Sequence, residues 1–191
     1  MYFRRCNQDP SVVGKTLAAV TRAAGLSTDL VNQAEAYLRR IEHDDCVIDE
    51  AAESEDEVST FLRSQWTMVA SDGGVGAHPK SYGTRARVLG RYVRERGLLS
   101  LEDAVRRMTS FPAQRLRLWD RGILRPGGMA DAVVFDPDRI IDRATRVQPT
   151  AFAEGVRWTI INGRIVIRDG ALTSERPGRV LRGPAWNPPA R

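Results

Sequence analysis

The order of secondary-structure patterns constrains the fold of this 191-residue chain more than any single motif does. Over residues 1–120, stretches with apolar residues at helical spacing alternate with short apolar runs typical of buried strands. After residue 120, strand patterns separated by turn residues replace the helical ones. The sequence therefore predicts an α/β region over 1–120 and a smaller β-rich region over 121–191, which ends in an extended tail.

Helix start and stop signals place five helices in the first region. They are predicted at Thr16–Ala24, at Asp29–Ile41, after Ser54, around Val88–Val93 and after Ser100. Ser54 and Glu57 have the spacing of a capping box, in which each side chain accepts a hydrogen bond from the backbone of the other residue. Gly25 and Gly97 are typical helix terminators.

Strands are predicted in both regions. Cys46–Ile48 and Trp66–Ala70 are the short apolar runs of the first region, and Ala130–Asp136 is a strand of the second. Trp158–Ile167 has the pattern of a β-hairpin. Its Asn162–Gly163 turn is a strong local hairpin signal, because both residues readily adopt the positive φ angles of a type I′ turn.

The segment Ser71-Asp72-Gly73-Gly74 follows the predicted strand Trp66–Ala70 directly. Barrel enzymes place catalytic carboxylates at the ends of their strands, and glycines allow the chain to turn away sharply from such a residue. Asp-Gly is also a common turn dipeptide with no catalytic role. Taken alone, these four residues leave both interpretations open.

The positive charge of the chain raises the question of nucleic-acid binding. The net charge is +5, but 24 acidic residues are interleaved with 29 basic ones, and only Lys15 and Lys80 are lysines. Five arginines lie between Arg85 and Arg96, with few aromatic side chains for base stacking. We interpret these arginines as a solvated helix face and expect no nucleic-acid partner.

Cellular location is predicted from the cysteines and from the lack of long apolar runs in the sequence. Cys6 and Cys46 indicate no disulfide framework and are typical of a chain in a reducing compartment. No apolar run approaches the 18 or so residues of a membrane span, and the first residues do not have the pattern of a signal peptide. We expect a cytoplasmic protein with no membrane partner.

A set of short motifs recurs in the order seen in one enzyme family. The motifs are Ser71-Asp72-Gly73, His78-Pro79-Lys80, Tyr82-Gly83-Thr84, Arg87–Val93, Leu98–Glu102, Met108-Thr109-Ser110, Pro112-Ala113, Asp120-Arg121-Gly122, Ala130-Asp131 and Asn162-Gly163. With them the chain resembles the C-terminal part of the D-aminoacylases, the N-acyl-D-amino-acid deacylases of the amidohydrolase superfamily. The resemblance extends from about Asp9 to Gly183.

The resemblance implies a particular architecture. The family fold is a metal-dependent (β/α)8 barrel followed by a small β-sandwich that both chain ends build. The chain would then be a C-terminal fragment, with the last βα units of the barrel in 1–120 and the C-terminal part of the sandwich in 121–191. Cys46–Ile48 and Thr67–Ser71 would be the last two barrel strands.

The resemblance also implies a reaction and the roles of two residues. Family members hydrolyse an N-acyl-D-amino acid to a carboxylate and a free D-amino acid, using a hydroxide that bound zinc generates from water. Asp72 matches the carboxylate that ligates the metal or accepts the proton of the water, and is therefore the expected catalytic and metal residue. Lys80 stands where the family usually has arginine, and is expected to bind the α-carboxylate of the substrate.

The family's metal-binding histidines have no counterpart here. His43 and His78 are the only histidines, and they lack ligand spacing; His78, beside a proline, is expected to staple its loop. We expect zinc in the complete enzyme but no tight zinc binding by this chain alone. A complementing N-terminal chain would carry the histidines; the alternative is an inactive remnant, or a chain that serves only in assembly.

Overall fold

The computed structural model describes residues 1–49, 54–73 and 78–183. Gly74 and residues 184–191 of the predicted tail lie outside these ranges. The helices and strands in chain order are β1 Tyr2–Cys6, α1 Leu17–Ala23, α2 Leu30–Glu42, β2 Cys46–Asp49, α3 Glu55–Arg63, α4 Lys80–Arg87, α5 Leu101–Met108, α6 Ser110–Arg115, β3 Ala132–Phe135, β4 Val156–Ile161, β5 Arg164–Arg168 and β6 Ala171–Leu172. A short 3-10 helix lies at Pro10–Val12, and a π-helical segment at Val88–Glu95 follows α4 directly.

The two N-terminal strands form an antiparallel pair that the sequence predicted only in part. β2 confirms the strand predicted at Cys46–Ile48, whereas β1 was not predicted. In the pair, Cys6 lies directly opposite Cys46, and their Sγ atoms form a disulfide. The expectation that the two cysteines indicate no disulfide framework is therefore wrong, because the pairing of β1 with β2 brings them together across 40 residues.

The first two helices begin at the residues that the sequence indicated. The Thr16 hydroxyl accepts a hydrogen bond from the Ala19 amide at 3.0 Å and caps α1, and the Asp29 carboxylate caps α2 in the same way. α2 has 13 residues, none of them buried, and Leu30 is 85% exposed. Within the described ranges, no helix is long and apolar enough to cross a membrane.

Helix α3 begins with the predicted capping box. The Ser54 amide donates to the Glu57 carboxylate at 2.6 Å, and the Glu57 amide donates to Ser54 Oγ at 3.2 Å. These two bonds satisfy backbone donors that the first turn of a helix leaves without partners. The helix therefore starts at a position fixed by local sequence, and it ends at Arg63.

The strand predicted at Trp66–Ala70, or at Thr67–Ser71 from the family resemblance, is not present in the structure. Residues 67–73 have no regular secondary structure. A strand is stable only when neighbouring strands satisfy its backbone groups. In the described part of the chain, Val69 instead donates its amide to the carbonyl of Arg107 at 3.2 Å, on a helix. β2 is likewise paired antiparallel with β1, unlike the parallel strands of a barrel.

The largest core of the described chain forms where four helical segments meet. Ala104 of α5 is fully buried, and Tyr92 of the π-helical segment is 6% exposed. The helix predicted around Val88–Val93 is confirmed, but it is wound more widely, and the Arg96 amide reaches the carbonyl of Arg91 five residues earlier. The buried members of this core are Leu62, Ala86, Val88, Leu89, Tyr92, Ala104 and Ile140.

The C-terminal region is a four-stranded antiparallel sheet in the order β3-β4-β5-β6. The predicted strand at Ala130–Asp136 and the predicted hairpin are both confirmed. Asn162 and Gly163 have φ angles of +49° and +78°, as the type I′ turn requires. Each strand of the sheet therefore pairs with the next in sequence.

The segment between β3 and β4 crosses the helices at two glycines. A Cβ atom on Gly90 would lie 2.5 Å from the carbonyl oxygen of Ile140 and 2.7 Å from Cδ1 of Ile141. On Gly83, a Cβ would lie 2.8 Å from Cβ of Asp142. Ile140 is 2% exposed, so the two glycines allow this segment to complete the helical core.

We predict that Gly90→Ala destabilises the chain. The added methyl group has no space beside the Ile140 carbonyl, and forced overpacking typically costs about 1–3 kcal/mol. This loss should exceed the gain of about 1 kcal/mol that alanine brings to a helix interior. Gly178→Ala is the control, because nothing lies within 4 Å of its added Cβ. Chemical denaturation monitored by circular dichroism measures both; equal midpoints for the two variants would contradict the packing described here.

Candidate functional site

The candidate site is centred on Asp72, at the end of the irregular segment that follows α3. Asp72 has a φ angle of +44°, and its side chain is 89% exposed. The Ser71 hydroxyl accepts a hydrogen bond from the Gly73 amide at 3.3 Å. A serine bonded to the amide two residues later stabilises a tight turn. Ser71 was not assigned this role from the sequence, although the spacing Ser-x-Gly indicates it.

Gly73 brings the turn against the first residues of α4. A Cβ atom on Gly73 would lie 3.2 Å from Cα of Ser81 and 3.1 Å from the Ser71 hydroxyl. A side chain at position 73 would therefore push the turn away from the helix. Because Lys80 is the first residue of α4, this close approach places it beside Asp72.

Lys80 and Asp72 form an ion pair, with 2.5 Å between Lys80 Nζ and Asp72 Oδ2. The hydrogen bond from Lys80, together with its positive charge, holds the pKa of Asp72 below its ordinary value. Asp72 is thus a carboxylate at neutral pH. The two residues that the sequence singled out, eight positions apart, are brought together by the structure.

His78 stabilises the loop before α4. Its Nδ1 accepts a hydrogen bond from the Lys80 amide at 3.2 Å, which satisfies a donor in the first turn of the helix. Pro79, which precedes the helix, lacks an amide hydrogen and needs no partner. His78 therefore has the loop-stapling contact that the sequence predicted.

The arginines between Arg85 and Arg96 do not form the purely solvated face that the sequence predicted. Arg96 lies 2.8 Å from the Glu55 carboxylate, and Arg87 and Arg91 lie 3.4 and 3.5 Å from it. Partial burial would raise the pKa of Glu55, but these positive charges outweigh it and leave the pKa lowered. The prediction failed because Glu55 is more than 30 positions away in sequence.

A fourth arginine of the same run binds backbone rather than solvent. Arg94 donates to the carbonyls of Pro137 and Ile140 at 3.0 and 2.7 Å. These bonds hold the segment between β3 and β4 against the π-helical segment. The arginine run therefore joins α3, the helical core and the C-terminal region.

The described residues do not provide a zinc site on their own. Within residues 1–49, 54–73 and 78–183, no three His, Cys, Asp or Glu side chains lie close enough together to hold a metal ion. Zinc sites in proteins need at least three protein ligands. Asp72 could supply one carboxylate ligand, and the others would have to come from residues that the structure does not describe.

The comparisons with known proteins agree with the motif order. A family model described as the amidohydrolase family matches residues 15–167. The chain belongs to the amidohydrolase family, and the resemblance predicted from the sequence is confirmed.

Three curated relatives come from Alcaligenes xylosoxydans xylosoxydans. An N-acyl-D-glutamate deacylase is 46% identical over 134 residues, a D-aminoacylase 43% over 130, and an N-acyl-D-aspartate deacylase 40% over 128. The matches cover 69%, 66% and 65% of this chain but only 27%, 27% and 26% of the relatives. The chain therefore spans about a quarter of the length of the curated relatives that it matches.

Solved structures give the same result for the fold. The N-acyl-D-glutamate deacylase from Bordetella bronchiseptica, in complex with zinc and a phosphonate inhibitor that mimics the tetrahedral intermediate, has a TM-score of 0.73 and 36% identity. The match covers 95% of this chain and 37% of that one. A mutant D-aminoacylase in complex with copper chloride has a TM-score of 0.74 and 33% identity, with coverage of 94% and 37%. The α/β class of the chain is thus that of an amidohydrolase.

We predict that Lys80→Met raises the pKa of Asp72 towards its ordinary value, because the hydrogen bond and charge that favour the carboxylate are removed. Because the pKa of Asp72 is lowered in the folded state, the contribution of the ion pair to stability is present at neutral pH. It is lost as the pH falls through the pKa of the folded state. Carboxyl ¹³C chemical shifts measured against pH give the pKa directly. Lys15→Met, at the other lysine of the chain, should leave the titration of Asp72 unchanged. An unaltered pKa in Lys80→Met would contradict the ion pair.

Proposed function

We propose that this chain supplies the catalytic carboxylate and the substrate-binding cation of a zinc-dependent amidohydrolase that hydrolyses N-acyl-D-amino acids. The observation that carries the proposal is the pairing of Asp72 with Lys80 on the turn before α4. The names of the relatives support the substrate class, since each matched curated protein is a deacylase or aminoacylase of D-amino acids. A zinc complex of one relative supports the metal.

Asp72 is proposed to move the proton that hydrolysis requires. Zinc, when bound, lowers the pKa of a water molecule to near neutrality. An Asp72 carboxylate oxygen accepts the proton from the attacking water and later delivers it to the leaving nitrogen, as one positioned acid–base group can do. The lowered pKa of Asp72 keeps the group in the ionised form that can accept this proton. Its exposed side chain faces outward from the described part of the chain, where further residues and substrate have room to approach.

Lys80 is proposed to bind the α-carboxylate of the substrate. Its ammonium group already contacts a carboxylate, that of Asp72, so a second anion placed beside Asp72 lies within its reach. Lysine presents a point charge, whereas arginine would offer two parallel donors to a carboxylate. Lys80 should therefore bind the substrate less specifically than an arginine at this position.

The finer architecture is part of the same proposal. Residues 1–120 are the last βα units of a (β/α)8 barrel, and residues 121–191 are the C-terminal part of a β-sandwich with its tail. The metal-binding histidines belong to a complementing N-terminal polypeptide, so that the chain alone does not retain zinc.

The alternative is that the chain is a catalytically inactive remnant, or serves only in assembly with an upstream chain. The coverage of the relatives is compatible with both candidate functions. The coding sequence immediately upstream of the Met1 codon distinguishes the two candidate functions. A reading frame that encodes His-X-His favours a split or mis-started gene, and its absence favours the remnant.

The kinetic test uses the chain assembled with an N-terminal polypeptide that carries the metal histidines, for example the unmatched part of the Alcaligenes N-acyl-D-glutamate deacylase. Asp72→Asn should lower kcat by about 10²- to 10⁴-fold, because an amide cannot accept the proton of the water. Asp169→Asn is the matched control: Asp169 is also an exposed aspartate at positive φ, 63% exposed with φ +49°. Steady-state hydrolysis of an N-acetyl-D-amino acid gives both values, and full activity in Asp72→Asn would refute the proposed role.

The same assay separates the role of Lys80. Lys80→Ala should raise KM about tenfold with little change in kcat, because the contact to the substrate carboxylate is the same in the ground state and the transition state. Lys80→Arg should keep or lower KM, since the guanidinium group fits a carboxylate with two hydrogen bonds. A fall in kcat at constant KM in Lys80→Ala would assign Lys80 to the chemical step instead.

A further inference from the structure

Arg107 of α5 is a buried charge whose Nε and Nη1 atoms both donate hydrogen bonds. Only 3% of its surface is exposed, and it is the one ionisable residue among the buried polar residues of the described chain. A buried guanidinium is costly unless its charge is paired and its donors are used. Arg107 Nε donates to Asp103 Oδ2 at 2.7 Å, and Nη1 donates to the carbonyls of Leu62 and Ser64 at 2.9 and 2.5 Å.

The two carbonyls that Arg107 binds lie at the C-terminal end of α3. Leu62 is in the last turn, and Ser64 is the residue that caps it. The last carbonyls of a helix have no partners within the helix, and a positive charge is favourable there. Arg107 therefore attaches the end of α3 to α5, at the point where the chain turns towards Asp72.

The backbone of Arg107 holds the same segment at a second point. Its carbonyl accepts the hydrogen bond from the Val69 amide at 3.2 Å, three residues before Asp72. Arg107 thus contacts both the start and the middle of the irregular segment 64–72, at Ser64 and at Val69. No strand lies beside residues 67–73 in the described part of the chain, so these contacts replace the support that a sheet would give.

We propose that Arg107 is a positioning residue for Asp72, which sets the place of the carboxylate through segment 64–72 and touches no substrate itself. The role in catalysis rests on the function proposed for Asp72. Arg106 provides a matched comparison on the same helix. It shares the Asp103 carboxylate, at 2.9 Å, but its guanidinium is 42% exposed and stacks on the Phe111 ring at 4.8 Å.

The first test measures kinetics in the assembled, zinc-loaded enzyme. Arg107→Lys keeps the positive charge but lacks the planar guanidinium group that binds Asp103 and the two carbonyls at once. It should lower kcat about 10- to 100-fold with KM changed less than about twofold, because misplacement of a catalytic group by about 1 Å can have this effect. Arg106→Lys should retain the parent kcat. In Arg107→Ala, added guanidinium ion should restore part of the lost kcat, because it can re-form the bonds to Asp103 and the two carbonyls.

The second test needs no activity and uses the 191-residue chain. Hydrogen exchange measured by mass spectrometry should be about tenfold faster in peptides covering residues 64–73 of Arg107→Lys, and unchanged there in Arg106→Lys. Peptides from α1 and β4 should exchange as in the parent chain. Faster exchange throughout Arg107→Lys would show a general structural role and overturn the proposal, as would identical exchange in the two variants.

The outcomes separate this proposal from the function on which it rests. If Asp72→Asn loses activity while Arg107→Lys keeps its kcat, the positioning role of Arg107 is wrong and the proposed function stands. If Asp72→Asn is fully active, the proposed function fails, and the catalytic role of Arg107 fails with it. The exchange data then decide only whether Arg107 holds segment 64–72.

Discussion

The position of Asp72 depends on how the chain is held between α3 and α4. In the described part of the chain, segment 64–73 has no strand beside it, and backbone groups of Ser64 and Val69 are bound instead by Arg107. At the end of this segment, Gly73 packs against the first turn of α4, where an added Cβ would lie 3.2 Å from Cα of Ser81. These contacts bring Asp72 and Lys80 into an ion pair. The geometry of the site is therefore a consequence of helix packing and of one glycine.

Local sequence predicted the elements whose ends are set by local interactions. The caps at Thr16, Asp29 and Ser54 and the turn at Asn162–Gly163 lie where the sequence placed them, because each is formed by residues within a few positions of one another. Two of the failures involve distant partners. Strand β1 and its disulfide needed the pairing of residues 40 positions apart, and the arginine run found Glu55 across a similar separation.

The sequence identified the candidate site residues, but it did not predict how they are arranged. Asp72 and Lys80 were identified from motif order, whereas their contact depends on the turn at Gly73. Arg107 was missed because arginine is usually exposed, although its position three residues after buried Ala104 indicates the inner face of α5. The predicted strand before Asp72 is absent because a strand needs neighbours that the described residues do not supply. In the proposed complete enzyme, neighbouring barrel strands would come from the polypeptide that also carries the histidines.

A crystal structure of the zinc-loaded assembly would show whether Asp72 belongs to the zinc site of the proposed amidohydrolase. In that crystal structure, we expect an Asp72 carboxylate oxygen about 2.0–2.2 Å from the zinc ion, or within hydrogen-bonding distance of a zinc-bound water. We also expect Lys80 beside the same carboxylate or beside the bound substrate anion. A zinc ion held entirely by other residues, with Asp72 remote from the metal and from its water, would contradict the account.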